Sequence, residues 1–249
     1  MTEKQPTAVF IIIGNEILSG RTQDTNLKYL ALKLSALGIR LKEVRVIPDI
    51  EQVIIDTINE LRANSDYVFT SGGIGPTHDD ITTESVAKAF GVKAEINDEA
   101  LRRLTKQYEK PGDLNESRKK MAIIPVGAAL IDNPISSAPG FKIGNVHVMA
   151  GVPSIFQAMV DNILPNLKGG KPIISMTITA SISEGKLAGP LGDIQKKFPQ
   201  VDIGSYPHIR DGKLGTSLVT RGLDASAVKE ADLAIRELVT GLGANFIVE

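Results

Sequence analysis

The chain has 249 residues, 42% of them hydrophobic, 23% charged and 4% aromatic, with 28 Lys and Arg against 29 Asp and Glu and a formal net charge of −1. That balance argues against a polybasic binder of nucleic acid or membrane surfaces, whose affinity needs an excess of cations over phosphates. The absence of Cys excludes a disulfide scaffold, a thiolate zinc site, a Cys nucleophile and an iron–sulfur centre. The absence of Trp, with Phe and Tyr scattered, leaves no stacking platform for single strands.

Met1 to Thr7 is polar and precedes the apolar run Ala8 to Ile13. That run is too short for a membrane span and lacks the layout of a signal peptide, so a cytoplasmic location is expected. Val9 to Ile13 is β-branched and apolar throughout, as in a strand buried on both faces of a parallel sheet. Leu27, Leu30, Ala31, Leu34 and Leu37 then recur at helical spacing, with Gly38 at the C-cap. Ile39 to Ile47 reads as the next strand. After Pro48, Asp49 and Gln52 have the spacing of a capping box opening a helix through Leu61.

Tyr67 to Thr70 is a third buried strand, and a helix is predicted from about Thr82 to Phe90. Helices follow over Asn97 to Glu109, closed by Pro111-Gly112, and over Asn115 to Met121. Val146 to Met149 is a further strand and Ser154 to Leu164 a helix. Strands alternating with helices imply a three-layer α/β/α domain with a mostly parallel sheet over residues 1–168. Beyond the linker at Lys168 to Pro172, the order strand, helix, strand, strand, helix, strand over 169–249 suits a small α+β domain of split-βαβ type.

Ligands of open parallel sheets lie beyond the carboxyl ends of the strands. The residues there are Gly14 and Glu16, then Asp24 and Asn26; Asp49; the run Ser71-Gly72-Gly73-Ile74-Gly75-Pro76-Thr77-His78-Asp79-Asp80; and Gly151, Pro153 and Ser154. A Gly-rich turn lets backbone N–H groups approach phosphate oxygens, and the following helix aims its positive end at the same place. Asp79 and Asp80 would repel an anion unless a hard divalent cation such as Mg²⁺ bridges them. The run is neither a Walker A loop nor a dinucleotide fingerprint. Asp49 also reads as a helix cap, and Asp24 and Asn26 as caps of the first helix. His78 reads as a polar loop residue, His147 as a core or sheet-edge residue, and His208 as a loop residue without a partner. No GxSxG elbow supports a nucleophilic serine.

Gly14-Asn15-Glu16-Ile17-Leu18-Ser19-Gly20 with Asp24-Thr25-Asn26, then Pro48-Asp49, then Thr70 to Thr82, resembles the molybdopterin-binding (MoCF) domain in its CinA-like version. The resemblance covers about residues 7–168. It implies a pterin or nucleotide-phosphate pocket at Gly72, Gly73, Gly75, Thr77 and Asp80, and functional carboxylates at Asp49 and Asp80. CinA-like members are linked to metal-dependent hydrolysis of ADP-ribose-type pyrophosphates, and MogA-like members to adenylylation of molybdopterin. The expected activity is therefore a divalent-metal-dependent nucleotide pyrophosphatase, with Asp80 and Asp49 catalytic and Asp79 and Asp80 at the metal. The alternatives are a non-catalytic molybdopterin or nucleotide binding module and a molybdopterin adenylyltransferase-like enzyme. A dimeric or trimeric homo-oligomer is expected. Related sequences carry Leu-Pro-Gly-x-Pro and an acidic residue where this chain reads Met149-Ala150-Gly151-Val152-Pro153-Ser154, a departure that bears on activity more than on fold. With the sequence given ending at Glu249, the amidase half of longer CinA proteins, and with it deamidation of nicotinamide nucleotides, is not expected.

Overall fold

A computed structural model describes residues 5–108, 113–210 and 212–249. Its backbone contacts divide into two units, Met1–Gly170 and Lys171–Glu249. Among the described residues no helix is long and apolar enough to cross a membrane.

The first unit runs β1 (Thr7–Ile13), α1 (Asn15–Leu18), α2 (Asn26–Ala36), β2 (Arg40–Ile47), α3 (Glu51–Ala63) and β3 (Tyr67–Ser71). It continues with α4 (Thr82–Ala89), β4 (Ala94–Ile96), α5 (Asp98–Gln107), α6 (Glu116–Lys119) and β5 (Ile123–Pro125). It closes with β6 (Ala129–Ile131), β7 (Gly140–Ile143), β8 (Val146–Met149) and α7 (Pro153–Ile163). The main sheet is six-stranded, in the order β2-β1-β3-β8-β7-β6. From β2 to β8 neighbours are parallel, and β7 and β6 add antiparallel pairs at one edge.

Strand β1 shows why both faces are covered. Its side chains alternate across the sheet. Val9, Ile11 and Ile13 pack with Ile54 and Ile58 of α3, Val86 of α4 and Leu104 of α5. Ala8, Phe10 and Ile12 pack with Leu30 and Leu34 of α2 and Phe156, Met159 and Val160 of α7. Each such fully buried Val, Leu, Ile, Phe or Met side chain stabilises the fold by roughly 1.5–3 kcal/mol relative to exposure. The result is helix, sheet, helix, a mixed α/β unit with a mostly parallel sheet.

The second unit runs β9 (Ile174–Ala180), α8 (Glu184–Lys197), β10 (Asp202–Arg210), β11 (Lys213–Gly222), α9 (Ala225–Gly241) and β12 (Phe246–Val248). Its four strands pair antiparallel in the order β10-β11-β9-β12. Ile178, Ala180 and Leu218 of the sheet pack on Leu187 and Ile194 of α8 and Ile235 and Val239 of α9.

Several local expectations are corrected. Asp49 does not cap α3: the cap position is Ile50, which makes no side-chain cap bond, and the Asp49 carboxylate instead accepts the Asn15 N–H at 2.8 Å. Gln52 donates to Asp56 at 2.9 Å, so no capping box forms. The predicted helix over Asn115 to Met121 is α6 followed by a 3₁₀ turn over Lys120–Ala122, which tucks Ala122 into the core. Glu109, Pro111 and Gly112, expected at the end of α5, lie outside the described residues, as do Met1 to Lys4. His208 lies in β10, not in a loop. That strand runs through Pro207 because it is an edge strand, where a missing N–H leaves no ladder bond unmade inside the sheet. Strands β4 to β7 depart from the sequence reading, being only three or four residues long.

His147 of β8 is buried and stacks on Phe69, ring centroids 5.1 Å apart. Burial first, and the Lys142 charge second, hold its imidazole down at about 4 against an ordinary 6.5. The unfolded chain therefore takes up this proton before the folded one does. Stability is fully present above the unfolded value and is lost as the pH falls through and below 4, by roughly 3 kcal/mol in the limit. We expect the urea midpoint to drop between about pH 7 and about pH 4.5, and to drop less in His147→Phe. An equal drop in both proteins would assign the acid sensitivity to other groups.

Candidate functional site

The carboxyl ends of β1, β2, β3 and β8 meet at one end of the parallel strands, held by bonds between neighbouring loops. The Gly14 N–H donates to the Ile47 carbonyl at 3.1 Å, next to the Asn15–Asp49 bond. The Gly72 N–H donates to the Met149 carbonyl at 3.1 Å. Asn26, only 3% exposed at the start of α2, donates through Nδ2 to the Gly151 carbonyl at 2.8 Å. Asp24 accepts the Leu27 N–H at 2.9 Å and so supports α2 from its end.

The segment after β3 turns sharply. Gly72 and Gly73 have φ of 102° and 68°, left-handed values that glycine adopts without a Cβ penalty. A Cβ on Gly72 would strike the Ile13 carbonyl, and one on Gly73 the Thr82 hydroxyl. The Gly73 carbonyl accepts the Thr82 N–H at 2.9 Å, tying the loop to the first turn of α4. Further along, the Asp80 carboxylate accepts the Thr77 N–H at 2.8 Å. The Thr77 hydroxyl lies 2.6 Å from an Asp79 oxygen and 2.5 Å from an Asp80 oxygen. Its single hydrogen serves one carboxylate at a time. That hydroxyl, more than any other group, pulls the exposed Asp79 carboxyl below its usual range. Lys120 closes the loop from outside, its ammonium donating to the carbonyls of Thr77 at 2.9 Å and Asp80 at 2.8 Å.

These loops enclose a cavity of about 500 Å³. Of the residues singled out in the sequence, Glu16, Gly72, Gly73, Gly75, Pro76, Asp80, Gly151 and Pro153 line it. Gly14, Asp24, Asn26, Asp49, Thr77, Asp79 and Ser154 do not. Asn26 and Thr77 bond directly to residues of the wall, whereas Asp49 acts on Asn15, at the base of α1. Among the described residues no three His, Cys, Asp or Glu side chains cluster as a metal cage.

The sequence does not point to much of the lining. Met121 and Ile155 supply apolar wall beside Ile74 and Val152 of the loops already singled out. Asn133, Ser136 and Ala138 supply wall from the turn between β6 and β7. The signal there is the cluster Asn133-Pro134 with Ser136-Ser137, but without β6 and β7 it has no place in the fold. Asn133 is 6% exposed and fully engaged. It accepts the N–H groups of Ile135 and Ser136 at 3.1 and 3.2 Å and donates to the Ser136 hydroxyl at 2.6 Å and the Ala138 carbonyl at 2.8 Å.

Chemically, the cavity offers apolar surface for a flat ring, glycine backbone that a ligand can approach closely, and the N-terminus of α7. That helix starts with Pro153 and has no acidic residue in its first turn, so nothing on it offsets the partial positive charge of its leading end. Such an end favours an anion.

A family model described as "Probable molybdopterin binding domain" matches residues 9–169, and one described as "FAD synthase, middle domain" matches residues 172–245. A relative from Pyrobaculum arsenaticum, named only "Protein", is 36% identical over 235 residues, which are 90% of this chain and 88% of that one. A "Probable FAD synthase" of Caenorhabditis briggsae is 30% identical over 263 residues, 96% of this chain but 50% of its own length. Among solved structures, the protein CinA of unknown function from Thermoplasma acidophilum is 35% identical with a TM-score of 0.61, covering 65% of this chain and 98% of that one.

Two glycines separate conformational strain from collision. Gly20 has φ of 72° and open space, with nothing within 4 Å, where a Cβ would stand, whereas Gly72 faces the Ile13 carbonyl. Gly20→Ala is expected to cost about 1 kcal/mol, and Gly72→Ala about 3 kcal/mol or more, by urea denaturation. Equal costs would show that the strand ends can part without loss.

Proposed function

From the premise that this chain belongs to the molybdopterin-binding domain family, in its CinA-like branch, we propose that it binds a phosphate ester of a heterocycle, a nucleotide or a pterin, in the cavity beside Gly72. The observation that carries this reading is the meeting of the Gly72–Gly75 backbone, the uncompensated N-terminus of α7 and an apolar wall in one cavity. The name of the family points to a pterin. That of the second matched family, FAD synthase, points to a nucleotide, and FAD is itself a dinucleotide pyrophosphate. Both are flat rings joined to phosphate.

The second reading is hydrolysis of an ADP-ribose-type pyrophosphate. It is favoured by one feature, the Asp80 carboxylate in the cavity wall. Asp80 keeps one oxygen outside its bonds to Thr77, and Asp79 stands next to it. In this reading Asp79 and Asp80 hold a Mg²⁺ that arrives with the phosphates. Such an ion would offset phosphate charge and make bound water more acidic. The donor set suits it in kind, since Mg²⁺ takes hard oxygens and commonly needs only one or two carboxylates besides phosphate. Asp49 would then act on the site through Asn15 and the base of α1. Transfer of an adenylyl group to a pterin differs in requiring an acceptor.

Calorimetry with AMP and ADP-ribose, with and without Mg²⁺, tests binding, and chromatography of the same mixtures tests turnover. Saturable heats are expected for both ligands. If hydrolysis occurs, AMP appears only with the metal, and Asp80→Asn, which can still accept the Thr77 N–H, lowers the rate about a hundredfold or more while binding persists. Heats without product leave a binding module, and product that forms only when a pterin acceptor is added assigns transfer. The absence of any saturable heat sinks the reading of the cavity.

A further inference from the structure

A second cavity, of about 350 Å³, lies on the α7 face of the main sheet, and among the described residues it shares no lining with the glycine-loop cavity. Its floor is a row across three strands. Ala129 of β6 is opposite Lys142 of β7, and Lys142 is opposite His147 of β8. Residues directly opposite in an antiparallel pair point to one face of the sheet. Ala129 brings only a methyl group to this row. The facing wall is the last turn of α7 and the 3₁₀ turn after it, with Asn162, Ile163, Asn166 and Leu167.

Polar groups in this wall lack partners. His147 is 1% exposed, and its Nδ1 is buried with no hydrogen bond. Its neutral imidazole has one donor nitrogen and one acceptor nitrogen to offer. Lys142 has no hydrogen-bond or ion-pair partner among the described residues. Asp132 gives one carboxylate oxygen to Arg103 and keeps the other outside any bond. The Asn162 amide donates to the Asp132 carbonyl at 3.2 Å, which holds the end of α7 beside the turn after β6. Helix α7 has no basic residue in its last turn, so its carbonyl end keeps its partial negative charge.

These groups select a ligand by charge. A simple anion would be met by Lys142 but opposed by Asp132 and by the carbonyl end of α7. A simple cation would be met by those two but opposed by Lys142. A molecule that carries both charges close together satisfies both sides. Between them, Ile131, Ile163 and Leu167 offer apolar surface, on which such a molecule can lay an apolar body. The volume is within the range of small-molecule pockets.

We propose that this cavity binds a free α-amino acid with an apolar side chain. Lys142 meets the carboxylate. Asp132 and the carbonyl end of α7 meet the ammonium, and the acceptor nitrogen of His147 takes one of its N–H groups. Ile131, Ile163 and Leu167 hold the side chain. The site stands apart from the glycine-loop cavity and does not depend on what that cavity binds.

The test is calorimetry of the full chain with L-leucine, with L-leucinamide, which lacks the carboxylate, and with 4-methylpentanoate, which lacks the ammonium. Leucine is expected to give a saturable heat, and each analogue to bind about tenfold more weakly or worse. Lys142→Ala should weaken leucine about tenfold and leave leucinamide unchanged, and Lys142→Arg should restore leucine. Lys142 is exposed, and an unchanged melting curve confirms that its variants fold. The chain has three His residues, so the imidazole NMR signals of His147 are identified by their loss in His147→Phe. Leucine should move those signals and leave the signals of His78 and His208 in place. No saturable heat with leucine, or leucine binding that Lys142→Ala leaves unchanged, would overturn the proposal. So would either analogue binding as tightly as leucine, or His147 signals that stay fixed when leucine saturates the protein.

Discussion

The site depends on one close approach. Strand β3 leaves the sheet at Gly72 with its backbone pressed against the Ile13 carbonyl at the end of β1, where a methyl group would collide. Gly151, from the other flank, comes near enough that a Cβ there would sit 3.3 Å from the Gly72 Cα. Three loops therefore cross at one point with almost no side chain between them. The buried Asn26 side chain and the Gly72–Met149 bond hold that crossing shut. Unpaired backbone groups in such a place would cost about 1–3 kcal/mol each, so these bonds are what make the crossing stable. With it in place, the cavity behind it has walls of fixed backbone.

Around this fixed point the acidic loop is stiffened by its own chemistry. Asp80, Asp79 and Thr77 share one hydroxyl, and Lys120 holds two carbonyls of the same turn. Gly75 lies under the Asp80 carboxylate, which a Cβ would meet at 2.7 Å. Residues that look like metal ligands in the sequence thus have structural bonds as well. A residue can do both, because each carboxylate has two oxygens and about four lone-pair sites.

How far the sequence can be read follows from these contacts. The buried strands β1, β3 and β8 announce themselves, since a run such as Val9 to Ile13 is apolar on both faces. Residues at the ends of those strands can be collected without a structure, and most of the cavity's glycines are among them. Three kinds of feature stay hidden. Strands β4 to β7 take their form from pairing partners distant in sequence, as Leu130 pairs with Phe141, and carry no local periodicity. The Asn133 turn is part of the site only because β6 and β7 bring it there. Asp49 has every mark of a helix cap, yet a competing donor, the Asn15 N–H on a neighbouring loop, takes its carboxylate. Local pattern predicts the residue's chemistry, an acceptor for a backbone N–H, and tertiary contact chooses which N–H.

The α7 and α4 sides of the cavity differ in charge, with Glu16 a further carboxylate in the lining. On the α7 side the first helical turn carries no carboxylate, and the glycine backbone lies open to close approach. On the α4 side stand Asp80 and, just outside the lining, Asp79, whose carboxyl the Thr77 hydroxyl pulls below its usual range. A bare phosphate is drawn to the first side and repelled from the second, in a cavity where screening by water is weaker than on an open surface. The Lys120 ammonium moderates the acidic side, but its bonds go to the Thr77 and Asp80 carbonyls and not to the carboxylates. In the proposed metal-free binding mode, a ring bearing phosphate would sit with its anion toward α7. The carboxylates are left for a counter-charge or for a donor on the ring. A site acidic throughout would reject the phosphate, and one without Asp80 would lose this orientation. A nearly neutral chain thus brings an unopposed helix N-terminus and carboxylates to one cavity, which is what the proposed binding of a phosphate ester draws on.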